Sequence, residues 1–112
     1  MQKFSMVAKF TAKTGEGEKL AGILLEASAS VEAIPACEAY IVHRAEGEAD
    51  TIWVTEIWSD AQAHAESLAQ PETRAAIAHA MPLIERVEGS KLRPLGGKGL
   101  NESKSAPSTV TR

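Results

Sequence analysis

Two neighbouring segments in the middle of the chain carry bulky apolar side chains on both faces of an extended backbone. Residues 37–46 and 51–58 are rich in β-branched and aromatic residues and flank the polar sequence GEAD, which is typical of a β-hairpin. Along both segments, neither set of alternating side chains is consistently polar. Because a sheet with one solvated face alternates apolar with polar residues, a sheet containing this hairpin is predicted to need a cover on each side.

The hairpin is flanked by segments with strand and helix periodicity. Residues 3–13 alternate with a period of two, which predicts a strand, and apolar residues then recur at spacings of three and four from Leu20 to Ile34, which predicts a helix closed by Pro35. Ser59 and Gln62 have the spacing of a capping box, so a second helix is expected directly after the hairpin.

The last third of the chain is predicted to complete this arrangement. Pro71 suits the first position of a further helical segment, which is expected to weaken at Pro82, and residues 85–95 are predicted to form a final strand. The element order is then β-α-β-β-α-β, the ferredoxin-like α+β arrangement, in which both helical regions cover one face of an antiparallel sheet.

A second copy of the chain is the simplest cover for the other face of the sheet. We therefore expect a homodimer packed sheet to sheet. The apolar residues expected at its interface are Tyr40, Val42, Trp53 and Ile57.

Composition limits the kinds of partner. At 112 residues the chain is expected to form one domain over residues 1–100, followed by a disordered tail, residues 101–112, with almost no apolar content. A net charge of -3 without a basic run argues against nucleic acid, and no apolar run is long enough to span a membrane. The protein is expected to be cytoplasmic, and its single cysteine, Cys37, excludes an intrachain disulfide.

Four stretches of the sequence resemble the antibiotic biosynthesis monooxygenase family of dimeric α+β barrels. They are VAKFTAKTGEGEKLAGIL, CEAYIVHR, VTEIWSDAQAHAESLAQPETRAAI and LRPLGGKGL, and the resemblance covers about residues 1–100. It implies a ferredoxin-like homodimer that oxygenates quinols, anthrones or related polycyclic phenols with dioxygen and without a metal, flavin or haem. The same family includes haem-degrading enzymes and isomerases that act on aldehydes.

The sequence contains residues suited to such a reaction. A deprotonated phenol can itself give an electron to dioxygen, so the protein must supply a base, an apolar pocket and correct positioning. Because histidine is the side chain that changes charge near neutral pH, His43 and His64 are the candidate catalytic residues. If the hairpin register follows the family, His43 shares a sheet face with Val54, Glu56 and Trp58. The candidate substrate-binding residues are Trp58, Glu56, Val54 and Ile41.

Structural roles remain open for the same residues. Trp58 can serve as a core anchor, Glu56 as a buried carboxylate with structural partners, and each histidine as a satisfied structural group. His79, in contrast, is predicted to face solvent.

The chain also departs from the family pattern in two places. Val54 stands where haem-degrading relatives and some oxygenases carry an asparagine, which argues against haem degradation and leaves quinol oxygenation without one of its polar groups. Leu68 lies near where several relatives carry a histidine, and the role of that histidine cannot be carried over to this chain. The favoured interpretation of the sequence is a cofactor-independent monooxygenase without a bound metal. A non-catalytic binder of small hydrophobic molecules and an isomerase of small carbonyl compounds are the alternatives on the same fold.

Overall fold

The computed structural model describes residues 2–100. The predicted tail, residues 101–112, lies outside the described residues. Four strands and three helices follow one another in the chain, with a short 3-10 turn, Met81–Leu83, before the last strand. In order they are β1 Phe4–Ala12, α1 Gly17–Val31, β2 Cys37–Arg44, β3 Thr51–Trp58, α2 Ala61–Ser67, α3 Pro71–Ala80 and β4 Ile84–Leu92.

The strands form one antiparallel sheet in the order β2-β3-β1-β4. The two strands that border the α1 crossover, β1 and β2, are both paired to β3, and β4 returns to the free edge of β1. With the helices packed against one face, this confirms the predicted ferredoxin-like α+β fold.

The core lies between α1, α3 and the middle of the sheet. Leu20 and Ile52 are completely buried, and the surrounding side chains close the layer without polar groups. Burying aliphatic side chains of this size contributes about 1.5–3 kcal/mol each, so this layer supplies much of the driving force that holds the helices on the sheet. The buried members are Ala12, Leu20, Leu24, Ile52, Val54 and Ala80.

Several element boundaries differ from the predicted ones. Helix α1 ends at Val31, four residues before Pro35, because the intervening residues form turns that lead into β2. The cap of α2 is Asp60, whose Oδ1 accepts a hydrogen bond of 2.7 Å from the backbone N–H of Ala63, so the capping box assigned to Ser59 was wrong. Pro71 begins α3 as predicted, and the helix gives way to the 3-10 turn that contains Pro82.

The register of the hairpin corrects the predicted faces of the sheet. Tyr40 pairs with Glu56 and Val42 with Val54, on the face that packs against the helices. Tyr40 and Val42 therefore do not belong to the outer face that was predicted to form a dimer interface. Trp53 and Ile57 do lie on that outer face, together with Ile41 and His43.

Asp50, at the end of the hairpin turn, ties the start of α1 to the sheet. Its Oδ1 accepts a hydrogen bond of 2.8 Å from the N–H of Gly17, and its Oδ2 accepts one of 3.0 Å from Gly15. The N-cap residue Glu16 makes no side-chain capping bond, so a residue distant in sequence satisfies one of the orphan donors of the first turn, the N–H of Gly17. A Cβ atom at Gly17 would clash with the carbonyl oxygen of Ala49, which explains why glycine begins this helix.

Two glycines of α1 provide a matched pair of substitutions. We expect Gly17→Ala to lower the free energy of unfolding by about 1–3 kcal/mol, because the backbone of the hairpin must move to admit the methyl group. We expect Gly22→Ala to raise it by about 0.4–1 kcal/mol, because a Cβ atom there meets no neighbour and the unfolded chain loses entropy. Urea unfolding followed by circular dichroism measures both changes, and shifts of the same sign in the two variants would contradict this packing.

Candidate functional site

Glu56, Trp58 and His64 form a polar cluster where β3 leads into α2. Glu56 and Trp58 are two residues apart on β3, so both face the helices. Two residues later Asp60 caps α2, and this tight junction brings His64, in the middle of the seven-residue helix, back over the end of β3. The short connection between strand and helix thus positions all three side chains.

The cluster centres on one oxygen of the Glu56 carboxylate. Trp58 Nε1 donates a hydrogen bond of 2.9 Å to Glu56 Oε1, and His64 Nε2 lies 3.7 Å from the same oxygen. The His64 ring stands edge-on to Trp58 with centroids 5.6 Å apart and lies 4.8 Å from the ring of Phe4. Because His64 is only 9% exposed, these contacts define the orientation of its imidazole and place it beside a carboxylate.

A cavity of about 290 Å³ adjoins this cluster, between the helix-facing side of the sheet and the three helices. Its walls are mostly aliphatic and aromatic, and Glu56 and His64 are among its few polar lining residues. Four apolar residues that line it are partly exposed and mark the rim through which the cavity opens. They are Leu68, Ile77, Met81 and Val87.

Tyr40 adds a phenol to the wall of the cavity. It is the cross-strand partner of Glu56 on the helix-facing side. Burial raises the pKa of Tyr40 well above its ordinary value, and the negative charge of Glu56 raises it further. The hydroxyl group therefore stays protonated at neutral pH and can act as a hydrogen-bond donor.

Cys37 lies at the same end of β2, next to the bulge where the register with β3 shifts. Its Sγ is 3.6 Å from the carbonyl oxygen of Ala39. Burial raises the pKa of the Cys37 thiol, and Glu56 adds to the effect. A protonated thiol is a poor nucleophile, so Cys37 acts as a small, partly buried side chain here.

The predicted site residues fall into two groups. Glu56, Trp58 and His64 are brought together at the cavity. Val54 is 1% exposed and belongs to the core, so it is not a wall of the cavity. His79 is exposed on α3, as predicted.

His43 and Ile41 lie on the opposite side of the sheet from the cavity. His43 pairs with Trp53, and its Nε2 is 3.3 Å from the hydroxyl of Thr55. The predicted shared face for His43 and Glu56 was wrong, because the register pairs Glu56 with Tyr40 instead. The sheet itself separates His43 and Ile41 from the cluster.

Sequence reasoning missed Tyr40, Phe4 and the residues of the cavity rim. The alternation in β2 offered a signal for Tyr40, because Tyr40 has the same parity as Val42, and Val42 packs against the core. This signal assigns Tyr40 to a face of the sheet only when the hairpin register is known, and the sequence leaves the register open. Phe4 shares its parity with Met6, Ala8 and Phe10, and these three residues line the cavity.

Two further observations concern the described residues alone. Between residues 2 and 100, histidine, cysteine, aspartate and glutamate side chains nowhere gather in a group of three suited to a metal ion. Within the same range, every helix is too short or too polar to cross a membrane.

Comparisons with known proteins place this architecture in one family. The family model for antibiotic biosynthesis monooxygenase matches residues 3–79. A crystal structure from Chloroflexus aurantiacus that is assigned by name to the same family has 32% identity and a TM-score of 0.80, and the alignment covers 88% of this chain and 99% of that one. The chain belongs to the antibiotic biosynthesis monooxygenase family.

More distant structures share the fold. SnoaB from Streptomyces nogalater, described as a cofactor-independent oxygenase and solved as the mutant N63A, has 16% identity and a TM-score of 0.77 over 88% of this chain and 98% of its own. A family member from Caulobacter crescentus has 20% identity and a TM-score of 0.79, with 85% and 92% of the two chains covered. Among curated protein sequences, none matches the chain.

Tyr40 is the only tyrosine of the chain, so its ionisation can be followed directly by ultraviolet absorbance. We expect the folded protein to show no tyrosinate signal near pH 10, the ordinary value for tyrosine, because both burial and Glu56 oppose the anion. In the unfolded chain the tyrosine hydroxyl ionises near that pH. The contribution of the Tyr40 hydroxyl to the free energy of unfolding is therefore fully present below about pH 10. It is lost as the pH rises towards the pKa of Tyr40 in the folded protein.

Tyr40→Phe provides the control for this titration. The variant should lose less stability than the parent between neutral pH and strongly alkaline pH, measured by urea unfolding at each pH. A tyrosinate midpoint near 10 in the native parent would contradict the buried position of the phenol.

Proposed function

We propose that the protein is a cofactor-independent monooxygenase that oxidises a quinol-like or polycyclic phenolic small molecule with dioxygen. The observation that carries this proposal is the position of His64 next to Glu56 on the wall of a mostly apolar cavity. An aromatic ring system fits the apolar walls, and its hydroxyl group then meets the histidine.

His64 is the base in this proposal. It takes the proton of the substrate hydroxyl, and the nearby Glu56 carboxylate stabilises the imidazolium that forms. Trp58 and Phe4 both contact the imidazole ring, so the base is positioned before the substrate arrives. Trp58 is only 1% exposed and therefore acts as an anchor for Glu56 and His64 rather than as a surface for the substrate ring, whereas Tyr40 can donate a hydrogen bond to a substrate oxygen.

The reaction then needs only the substrate anion and dioxygen. The anion gives one electron to dioxygen, and the resulting superoxide and substrate radical combine to form a peroxide at a ring carbon. Loss of water from this peroxide, with the proton returned by His64, leaves a carbonyl group. One oxygen atom enters the product and the other leaves as water, so the phenol is oxidised by four electrons and dioxygen is reduced by four.

The membership of the family and the fold shared with SnoaB, which is named as a cofactor-independent oxygenase, support the reaction class. The size and apolar walls of the cavity support an aromatic substrate, because ligand sites are mostly apolar with a few convergent polar groups. His43, Ile41 and Val54 have no part in this mechanism, since they do not reach the cavity.

The outer face of the sheet supports the second part of the proposal, a homodimer packed sheet to sheet. Ile41 is 49% exposed and Trp53 is 37% exposed on this face, and Ile57 lies beside them. Lys9, on the neighbouring strand β1, approaches the Trp53 ring to 5.7 Å, a cation-π contact that shields part of the indole. A second copy of the chain would remove the large apolar groups from water.

Replacing His64 tests the proposed base. We expect His64→Ala to lower the rate of dioxygen uptake with naphthohydroquinone or anthrone by roughly two to four powers of ten, because His64 is the only histidine among the described residues that line the cavity. Glu56→Gln should lower turnover in the same direction, because the imidazolium loses its counter-charge. A Clark-type electrode measures uptake by the metal-free protein.

His79→Ala is the matched control, since His79 is exposed on α3. It should retain the parent rate. An active His64→Ala variant with the parent rate would remove His64 from the mechanism, and no uptake by the parent protein with any quinol, anthrone or flavonol would refute the monooxygenase itself.

Charged substitutions test the dimer. We expect Ile41→Asp to convert a particle of twice the chain mass into a monomer, because an unpaired charge in an apolar interface is costly. Leu25→Asp is the control: Leu25 is similarly exposed, at 55%, but lies on α1 in the helix layer. Light scattering at micromolar concentration measures both, and a parent protein with the mass of one chain would refute the dimer.

A further inference from the structure

The helix-facing side of the sheet is the floor of the cavity, and its layer of side chains is interrupted on β4. Met6, Ala8 and Phe10 of β1 line the cavity. Ala8 pairs with Gly89 of β4, and directly paired residues point to the same side of a sheet. Gly89 therefore leaves a recess in the floor, next to the small side chain of Ala8.

The backbone at Gly89 does not require glycine. Its φ lies outside the left-handed region, and a Cβ atom there would be 4.0 Å from the carbonyl oxygen of Val7, an ordinary contact. The closest atom would instead be the terminal methyl carbon of Met6, Cε, at 3.3 Å. Glycine inside a strand often marks a close approach by another group, and at this position that group is the methyl of Met6.

The side chain of Met6 extends towards β4. Met6 is paired with Glu56 of β3 on one side and with Lys91 of β4 on the other. Because its methyl group lies over Gly89, the side chain leans away from Glu56. Glu56 and His64 can therefore both line the cavity.

Met6 is the floor residue best suited to change the size of the cavity. Methionine is unbranched and has three rotatable bonds, and Met6 is partly exposed. Rotation of its side chain towards β3 would bring the methyl group in front of Glu56, the partner of the proposed base. The cavity, at about 290 Å³, is at the lower end of the range for small-molecule sites, so the position of one long side chain decides which ring systems fit.

We propose that Met6 is a specificity-determining residue of the cavity and that Gly89 provides the recess that holds its methyl group away from Glu56. With the methyl group in the recess, a planar system of fused rings can lie over Ala8 with its hydroxyl group at His64. With the methyl group outside the recess, only a single ring fits. The inference rests on the proposed function, because it takes the phenol to bind beside His64, and it adds a preference for fused-ring over single-ring quinols.

Binding under nitrogen tests this role separately from turnover. Calorimetry compares naphthohydroquinone with the single-ring hydroquinone. We expect Gly89→Ala to weaken binding of naphthohydroquinone by about fivefold or more, because the added methyl group displaces Met6 into the cavity and overpacking is costly. The affinity for hydroquinone should change by less than about twofold, because a single ring does not fill a site of this size and can shift.

Gly22→Ala is the matched control. It makes the same substitution in α1 at a position where the added Cβ atom meets no neighbour, and Gly22 does not line the cavity. This variant should bind both probes as the parent does. Equal weakening of both probes by Gly89→Ala, or no weakening of either, would overturn the specificity role and leave the proposed function intact.

A double-mutant cycle assigns the effect to Met6. Met6→Ala removes the methyl group that Gly89→Ala displaces, so adding Gly89→Ala to Met6→Ala should change the affinity for naphthohydroquinone by less than about twofold. A fivefold loss in that background as well would overturn the role of Met6. Failure of the parent protein to bind either probe would overturn both this inference and the proposed function.

The position of the Met6 methyl group can also be observed directly. Nuclear magnetic resonance of protein with ¹³C-labelled methionine methyl groups should show a nuclear Overhauser effect between the Met6 methyl protons and the α protons of Gly89. This contact should persist when naphthohydroquinone is bound. Its absence from the parent protein would overturn the recess, whatever the affinities of the variants.

Discussion

The alternation of side chains along β3 is the constraint on which both the core and the site depend. Ile52 and Val54 face the helices and lie in the core, and the next two residues on that face are Glu56 and Trp58. Because β3 is paired on both edges, a shift of its register by one residue would move every one of these side chains to the other face of the sheet. The packing that stabilises the fold therefore also positions the polar cluster.

Glu56 is the electrostatic centre of the site. Its carboxylate is only partly exposed and needs partners, and the indole N–H of Trp58 provides one at 2.9 Å. Burial raises the pKa of both Tyr40 and Cys37, and the negative charge of Glu56 raises them further. The phenol and the thiol thus stay neutral while the carboxylate lies next to the imidazole of His64, an arrangement suited to proton transfer rather than to nucleophilic attack.

The two ends of the helix layer differ, because one is tied to the hairpin and the other surrounds the cavity. At the end near the hairpin turn, Asp50 caps the first turn of α1 and a glycine allows the close approach, so the backbone is tightly tied there. At the other end, α1, α2 and α3 all contribute residues to the cavity. The cavity therefore lies away from the end at which the helix layer is tied to the hairpin.

The sequence by itself determined the element types and the family. The period of two in β1, the spacing of three and four in α1 and Pro71 at the start of α3 each reflect a local preference that the chain retains in the fold. The junction of Glu56, Trp58 and the capped helix was also readable, because all its residues lie within nine positions of one another. Only the cap itself moved, from Ser59 to Asp60, since both residue types suit that role.

Tertiary structure decided which residues share a face and which space is open. The register of β2 against β3, with its bulge near Cys37, placed Tyr40 beside Glu56 and sent His43 and Ile41 to the outer face. A shift of one residue would have reversed this outcome without changing the local pattern. Val54 likewise entered the core because α1 packs above it, and the cavity exists only because residues of three helices and the sheet meet around it. These are contacts between distant segments, and local sequence preferences carry no information about them.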